Sequence, residues 1–266
     1  MLPEKEKNDN QEKETTTMPI MEHIRELRRR LIKCILFFVA AFFISYSFAS
    51  NILNILINPL AQIMAKNGGT NRMIYTNLTE GFFTYLKIGS FGAICLSFPF
   101  FIWHIWQFIA PGLYKNEKRA VLPFIIASPV LFIMGALLVY FMIIPMAWSF
   151  LMGFQSSFGQ TVLPIQLEAR ISEYLSLIMT LIMAFGLCFQ MPVFLVLLAY
   201  AGIITPESLI KFRKYAIVLI FFVAAVVTPP DIISQVGLAI PLIMLYEITI
   251  KASAIVIKNK EQVQHV

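Results

Sequence analysis

The chain has 266 residues, 58% of them hydrophobic and 14% charged, with a formal net charge of +6 and a mean hydropathy of +0.75. Soluble domains are roughly 45 to 50% apolar, so these values exclude an ordinary soluble globular protein and indicate a single integral membrane domain, all-α and polytopic. The positive balance follows membrane topology and gives no argument for nucleic-acid binding.

Residues 1–17 are polar and charged and lack an apolar h-region, so the sequence predicts no cleavable signal peptide and a disordered tail. From Met21 to Leu31 an amphipathic helix is expected at the membrane interface. Ile24, Leu27 and Leu31 lie on one stripe, Glu22, Glu26 and Arg30 on another, and Pro19 falls in the first turn. Crossing about 30 Å of hydrocarbon takes roughly 20 apolar residues. Six runs of that kind follow, at residues 31–49, 82–109, 121–151, 174–201, 215–227 and 232–250. The fifth is short, and only Thr228-Pro-Pro-Asp231 separates it from the sixth, which predicts a tight hairpin. Residues 18–251 thus form a six-helix domain, and 252–266 a second tail.

In the first outer loop Ile52, Leu53, Leu56 and Ile57 recur at helical spacing up to Pro59, which is expected to stop or kink that helix. Within the spans, Pro99, Pro129, Pro145, Pro192 and Pro241 predict bent or shortened helices, hence an unequal, concave bundle. With the N-terminus inside, 17 of the 21 Lys and Arg residues fall on the cytoplasmic side. The outer loops hold Lys66, Arg72 and Arg170, and Lys87 snorkels outward. Both termini are therefore expected in the cytoplasm, with the protein multi-pass and surrounded by lipid.

Two acids stand in the most basic stretches. Glu26 lies in EHIRELRRRL (22–31) and Glu117 in FIAPGLYKNEKR (108–119). The plain reading pairs Glu26 with Arg30 at i,i+4 and leaves Glu117 solvated among Lys115, Lys118 and Arg119. The functional reading makes the two carboxylates a site for paired guanidinium groups, since a carboxylate accepts the arginine fork in bidentate fashion. Intramembrane polar residues are few: Gln107, Glu173, Gln190, Asp231, Gln235 and Glu247. Each is a functional candidate because burying a polar or ionisable group in hydrocarbon is costly. Glu173 and Asp231 sit at the outer boundary where water reaches, Glu247 can pair with Lys251, and Gln190 lies deep.

His23, His104 and His265 have no metal-ligand spacing, and Cys34, Cys95 and Cys188 read as small apolar residues. With no hydrolase or phosphate-loop motif present, the expectation is a non-enzymatic protein without cofactor or metal. Rival readings are a proton-coupled small-solute transporter, which predicts inverted repeats, and a structural scaffold, which leaves both glutamates dispensable.

The stretches EHIRELRRRL, FIAPGLYKNEKR, AFGLCFQMP (184–192), GIITP (202–206), TPPDIISQ (228–235) and AIPLIMLYE (239–247), in that order, resemble the TatC family, the multispanning receptor subunit of the twin-arginine protein translocase. The resemblance covers roughly residues 18–251. It implies a glove-shaped six-helix bundle in the cytoplasmic (inner) membrane that binds the Arg-Arg signal peptide of folded precursors. Its implied partners are single-span TatA and TatB-like subunits in a larger complex with further copies of itself, driven by the proton motive force. It assigns Glu26, Arg28, Phe108, Pro111 and Glu117 to signal-peptide binding, and Pro59, Asp231 and Gln235 to assembly or transport. Gln190 stands where many family members have glutamate, and an amide cannot exchange a proton.

Overall fold

The computed structural model describes residues 4–66, 72–113, 122–157, 168–228 and 232–264, with side chains described for 21–65, 72–108, 123–153, 168–228 and 232–258. These residues form α1 (Glu4–Ser47), α2 (Ala49–Lys66), α3 (Glu80–Leu113), α4 (Leu122–Leu138), a π-helical turn (Val139–Ile143), α5 (Ile144–Ser157), α6 (Ile171–Cys188), α7 (Met191–Tyr200), α8 (Pro206–Val227) and α9 (Ile232–Gln264). α1 lies along α3, α4 packs on α6, and both α7 and α8 pack on α9. Large apolar side chains cover the outside, among them Leu36, Phe43, Phe222 and Val226, the last 70% exposed. Such a surface suits lipid, because hydrocarbon solvates it as well as a protein core does.

Among the described residues, five helical stretches are long and apolar enough to cross a membrane: Met21–Ser47, Glu80–Phe108, Pro123–Gly153, Ile171–Tyr200 and Ile232–Lys258. The chain is thus a multi-pass membrane protein. The expected fifth run of the six lies in α8, whose 22 residues begin with Glu207, Lys211, Arg213 and Lys214, so its apolar part stays short. α1 is one continuous helix that starts at Glu4. Pro19 therefore lies inside it rather than in a first turn, and the interface segment and first span are fused. α9 likewise continues through Gln264, beyond the expected end of the domain at 251.

Proline explains two interruptions in the spans. The third breaks at the π turn just before Pro145, and the fourth breaks between Cys188 and Met191, where Pro192 has no N–H for the preceding turn. Gln190 occupies this second break. Its amide donates to the carbonyls of Ser128 (2.9 Å) and Gly186 (3.4 Å), tying the broken span to α4. Close approach here needs Gly186, since a Cβ at that position would lie 2.4 Å from the Phe132 ring. Pro59, in contrast, neither ends α2 nor leaves a gap. The carbonyl four residues before it, that of Ile55, accepts from the Tyr140 hydroxyl of the π turn at 2.8 Å, and α2 runs on to Lys66.

The N-terminal ends of α3 and α6 meet at a single carboxylate. Glu80, 7% exposed, accepts from the backbone N–H of Thr76 (3.0 Å), Asn77 (3.4 Å) and Ser172 (3.3 Å) and from Arg170 Nε (3.2 Å). A short parallel bridge between Ile74 and Arg170 runs beside it, and the Tyr174 hydroxyl donates to the Leu56 carbonyl at 2.7 Å. One acid therefore caps α3 and joins the segments that lead into α3 and α6. Ionised acceptors make the stronger hydrogen bonds. Glu80→Gln, which turns an amide toward three N–H donors, is expected to lower the thermal unfolding midpoint of detergent-purified protein. Arg170→Ala should lower it less, and adding Arg170→Ala to Glu80→Ala should cost little more, because the two residues act as one unit.

Candidate functional site

The charged stripe of α1 faces the last turns of α3. Glu22, Arg25, Glu26, Arg29, Arg30 and Lys33 line a pocket of about 450 Å³, closed on the other side by His104 and Gln107. Helical spacing puts Glu22, Glu26 and Arg30 in one row and Arg25, Arg29 and Lys33 in the next. Two contacts fix the register of the helices. His23 stacks on Phe108 with ring centroids 4.1 Å apart, and Phe37 stacks on Phe100 at 4.3 Å.

At the centre, Glu26 already holds a guanidinium. Its Oε1 accepts from Arg30 Nε at 2.9 Å and Nη2 at 2.5 Å, while Arg30 Nη1 donates to Gln107 Oε1 at 2.7 Å. The i,i+4 pair expected from the sequence is thus present, and it also bridges α1 to α3. Glu26 Oε2 has no hydrogen-bond partner among the described residues, and the side chain is 40% exposed. The carboxylate can therefore accept a second donor, or exchange Arg30 for another arginine, without a change of backbone.

Of the residues assigned by resemblance, Glu26 and Phe108 come together on this α1–α3 face. Arg28 is exposed and is not among the pocket residues. Pro111 lies in the last turn of α3, with its side chain outside the described set, and Glu117 and Asp231 lie outside the described residues. Pro59 is buried in α2. Gln235 donates from its amide to the Phe221 carbonyl at 3.3 Å and so ties α9 to α8. Gln190 sits at the break in the fourth span, and its Oε1 is buried with no partner among the described residues.

One polar expectation changes and one is met. Glu247 pairs with Arg213 of α8 at 2.8 Å rather than with Lys251, because α8 packs directly on α9. Glu173 is exposed and pairs with Arg170. Glu80 was not among the candidates, yet Asn77-Leu-Thr-Glu80 has the spacing of a capping box, and that pattern was the available signal.

A second cavity, about 530 Å³, opens between α3 and α6 below the Glu80 clamp. Leu86, Phe91, Ile94 and Met183 line it together with Lys87, Ser90, Ser176 and Thr180. Lys87 Nζ lies 3.4 Å from Ser176 Oγ. An apolar segment with a few polar groups would fit this concave face.

Residues 22–241 match the family model described as TatC, Sec-independent protein translocase protein. A relative from Magnetococcus marinus bearing the name Sec-independent protein translocase protein TatC is 44% identical over 87% of this chain and 82% of its own length. One of the same name from Escherichia coli strain K12 is 38% identical over 92% of this chain and 93% of its own. Two solved structures of the twin-arginine translocase receptor TatC superpose well. One has a TM-score of 0.73 at 38% identity over 88% of this chain and 99% of its own. The other, solved in the detergent DDM, has a TM-score of 0.75 at 39% identity over 87% of this chain and 99% of its own. The chain belongs to the TatC family of Sec-independent protein translocase proteins.

Proposed function

We propose that this translocase component is the receptor that reads two adjacent arginines in the signal peptide of a folded precursor at the cytoplasmic face of the inner membrane. The observation that carries the reading is the Glu26–Arg30 pair, because it demonstrates a carboxylate on α1 already fitted to a guanidinium. An incoming arginine takes the free side of Glu26 or displaces Arg30 toward Gln107. The second arginine goes to Glu117, which follows α3 by four residues. Phe108 and Pro111 supply the apolar floor, and the apolar part of the signal lies in the α3–α6 groove. Arg28 and its basic neighbours repel poorly matched cationic peptides.

In this reading α8 is the sixth crossing, short because its first half is charged, and both termini are cytoplasmic. The partners are single-span TatA and TatB-like subunits and further copies of the chain. Pro59, Gln190, Asp231 and Gln235 serve assembly or transport. The geometry of Gln190 supports a tie between helices, and its amide supports no role in moving protons. Export driven by the proton motive force then couples elsewhere.

Fluorescence anisotropy with a labelled Arg-Arg signal peptide and detergent-purified protein separates the roles of the pair. A hydrogen bond to a charged group contributes about 1.5 to 3 kcal/mol, so Glu26→Gln should weaken binding by about tenfold or more. Arg30→Gln removes the internal competitor and should leave binding equal or tighter. Equal weakening by both substitutions would mean that the pair is merely structural.

Topology is checked with single cysteines in a background lacking Cys34, Cys95 and Cys188, using an impermeant maleimide on intact cells. Leu78→Cys should label from outside, whereas Met21→Cys and Lys258→Cys should label only after permeabilisation. Labelling of Lys258→Cys alone among the two terminal sites would show that α8 does not cross.

A further inference from the structure

The pocket between α1 and α3 holds more positive charge than arginine recognition requires. Once Arg30 is matched by Glu26, the lining residues that remain are Arg25, Arg29 and Lys33 against the single carboxylate of Glu22. None of these three cations forms an ion pair among the described residues. They lie at i, i+4 and i+8, so like charges face one another along one helix, an arrangement that is unfavourable until an anion sits between them.

The depth of the pocket identifies the kind of anion. Lys33 lies just past Leu31, where the first apolar run begins, and on either side of it in the chain Ile32, Leu36 and Phe37 are exposed. On the α3 side the wall continues as His104 against Phe100, with ring centroids 4.2 Å apart, and Phe100 against Phe37. The cavity lining itself is charged and polar, with Gln107 and His104 on the α3 side, while the side chains next to it along α1 are aliphatic and aromatic and exposed. A molecule with a phosphate at one end and acyl chains at the other matches that gradient, and basic pockets between membrane helices hold such headgroups. Free phosphate would satisfy the three cations but leave the exposed Ile32 and Leu36 beside the pocket uncovered.

We propose that the α1–α3 pocket is a binding site for the phosphate of an anionic phospholipid, held by Arg25, Arg29 and Lys33 with Gln107 and His104 beside it. The site is distinct in charge from the acid that reads arginine, although the two share one cavity. It rests on the membrane reading of the chain and does not need the receptor reading.

The full chain, reconstituted in nanodiscs of equal phosphatidylcholine and phosphatidylglycerol, is released in the mass spectrometer and the retained lipid is counted. Wild type should keep phosphatidylglycerol in preference to phosphatidylcholine. Each cation near a lipid phosphate is worth about fivefold in affinity, so the Arg25→Gln, Arg29→Gln, Lys33→Gln triple variant should lose at least about fivefold of the retained phosphatidylglycerol. A control with Lys211→Gln, Lys214→Gln and Lys251→Gln, which removes as many cations elsewhere, should retain it. If the triple variant does not elute as one species, Arg29→Glu is read in its place, with the same expected loss.

Equal retention by the triple variant and wild type, or equal loss in the control, would overturn the site. Displacement of the lipid by excess inorganic phosphate would also overturn it, identifying a free-phosphate site instead. Nanodiscs expose both leaflets and no signal peptide is present, so failure here leaves arginine recognition standing, and failure of the peptide experiment leaves the lipid site standing.

Discussion

One buried carboxylate at the start of α3 sets the geometry from which the bundle is built. Glu80 collects three backbone N–H groups and Arg170, and in doing so caps α3, orders the first outer loop and fastens the start of α6. A helix end buried without partners leaves N–H groups unsatisfied, and an acid there would be costly without donors. Here each defect answers the other. Below this joint the two helices diverge, and the groove lined by Lys87, Ser90, Ser176 and Thr180 opens between them. The 34 residues of α3 then carry that fixed end across about 50 Å, so Gln107 and Phe108 arrive at the opposite face in a defined orientation.

At that face the important contact is between helices rather than within one. Read along α1, Glu26 and Arg30 are an ordinary surface pair worth a few tenths of a kcal/mol. In three dimensions Arg30 also donates to Gln107, and His23 stacks on Phe108, so the pair locks α1 to α3 and leaves one oxygen of Glu26 free. The same cavity sorts charges of both signs, with Glu26 for a guanidinium and the Arg25, Arg29 and Lys33 row for an anion.

Much of this was legible in the sequence because hydrocarbon imposes simple rules: apolar runs gave five of the six expected spans, Pro145 and Pro192 mark the two interruptions while Pro99, Pro129 and Pro241 lie inside continuous helices, and i,i+4 spacing gave the Glu26–Arg30 pair. What escaped depended on contacts between distant segments. Pro59 reads as a helix stop until Tyr140, far along the chain, supplies a donor to the Ile55 carbonyl. Glu247 reads as a partner of Lys251 until α8 brings Arg213 beside it. Glu80 carried a capping-box spacing, but its link to Arg170 and Ser172 is set by loop pairing that no local pattern encodes. The charged first half of α8 leaves only five stretches that are crossings by length and composition, so its role as a sixth depends on topology.

Membership of the TatC family and a carboxylate on α1 already engaged with a guanidinium lead to the same account, in which recognition of a paired-arginine signal uses Glu26 and Glu117. The most direct measurement is photo-crosslinking of Arg-Arg and Lys-Lys signal peptides to membranes containing the wild-type protein or the Glu26→Ala, Glu117→Ala double variant. The account predicts strong crosslinking of the Arg-Arg peptide to wild type, weak crosslinking of the Lys-Lys peptide, and loss of the Arg-Arg signal in the double variant. Undiminished crosslinking in that variant, with both peptides bound alike, would contradict it.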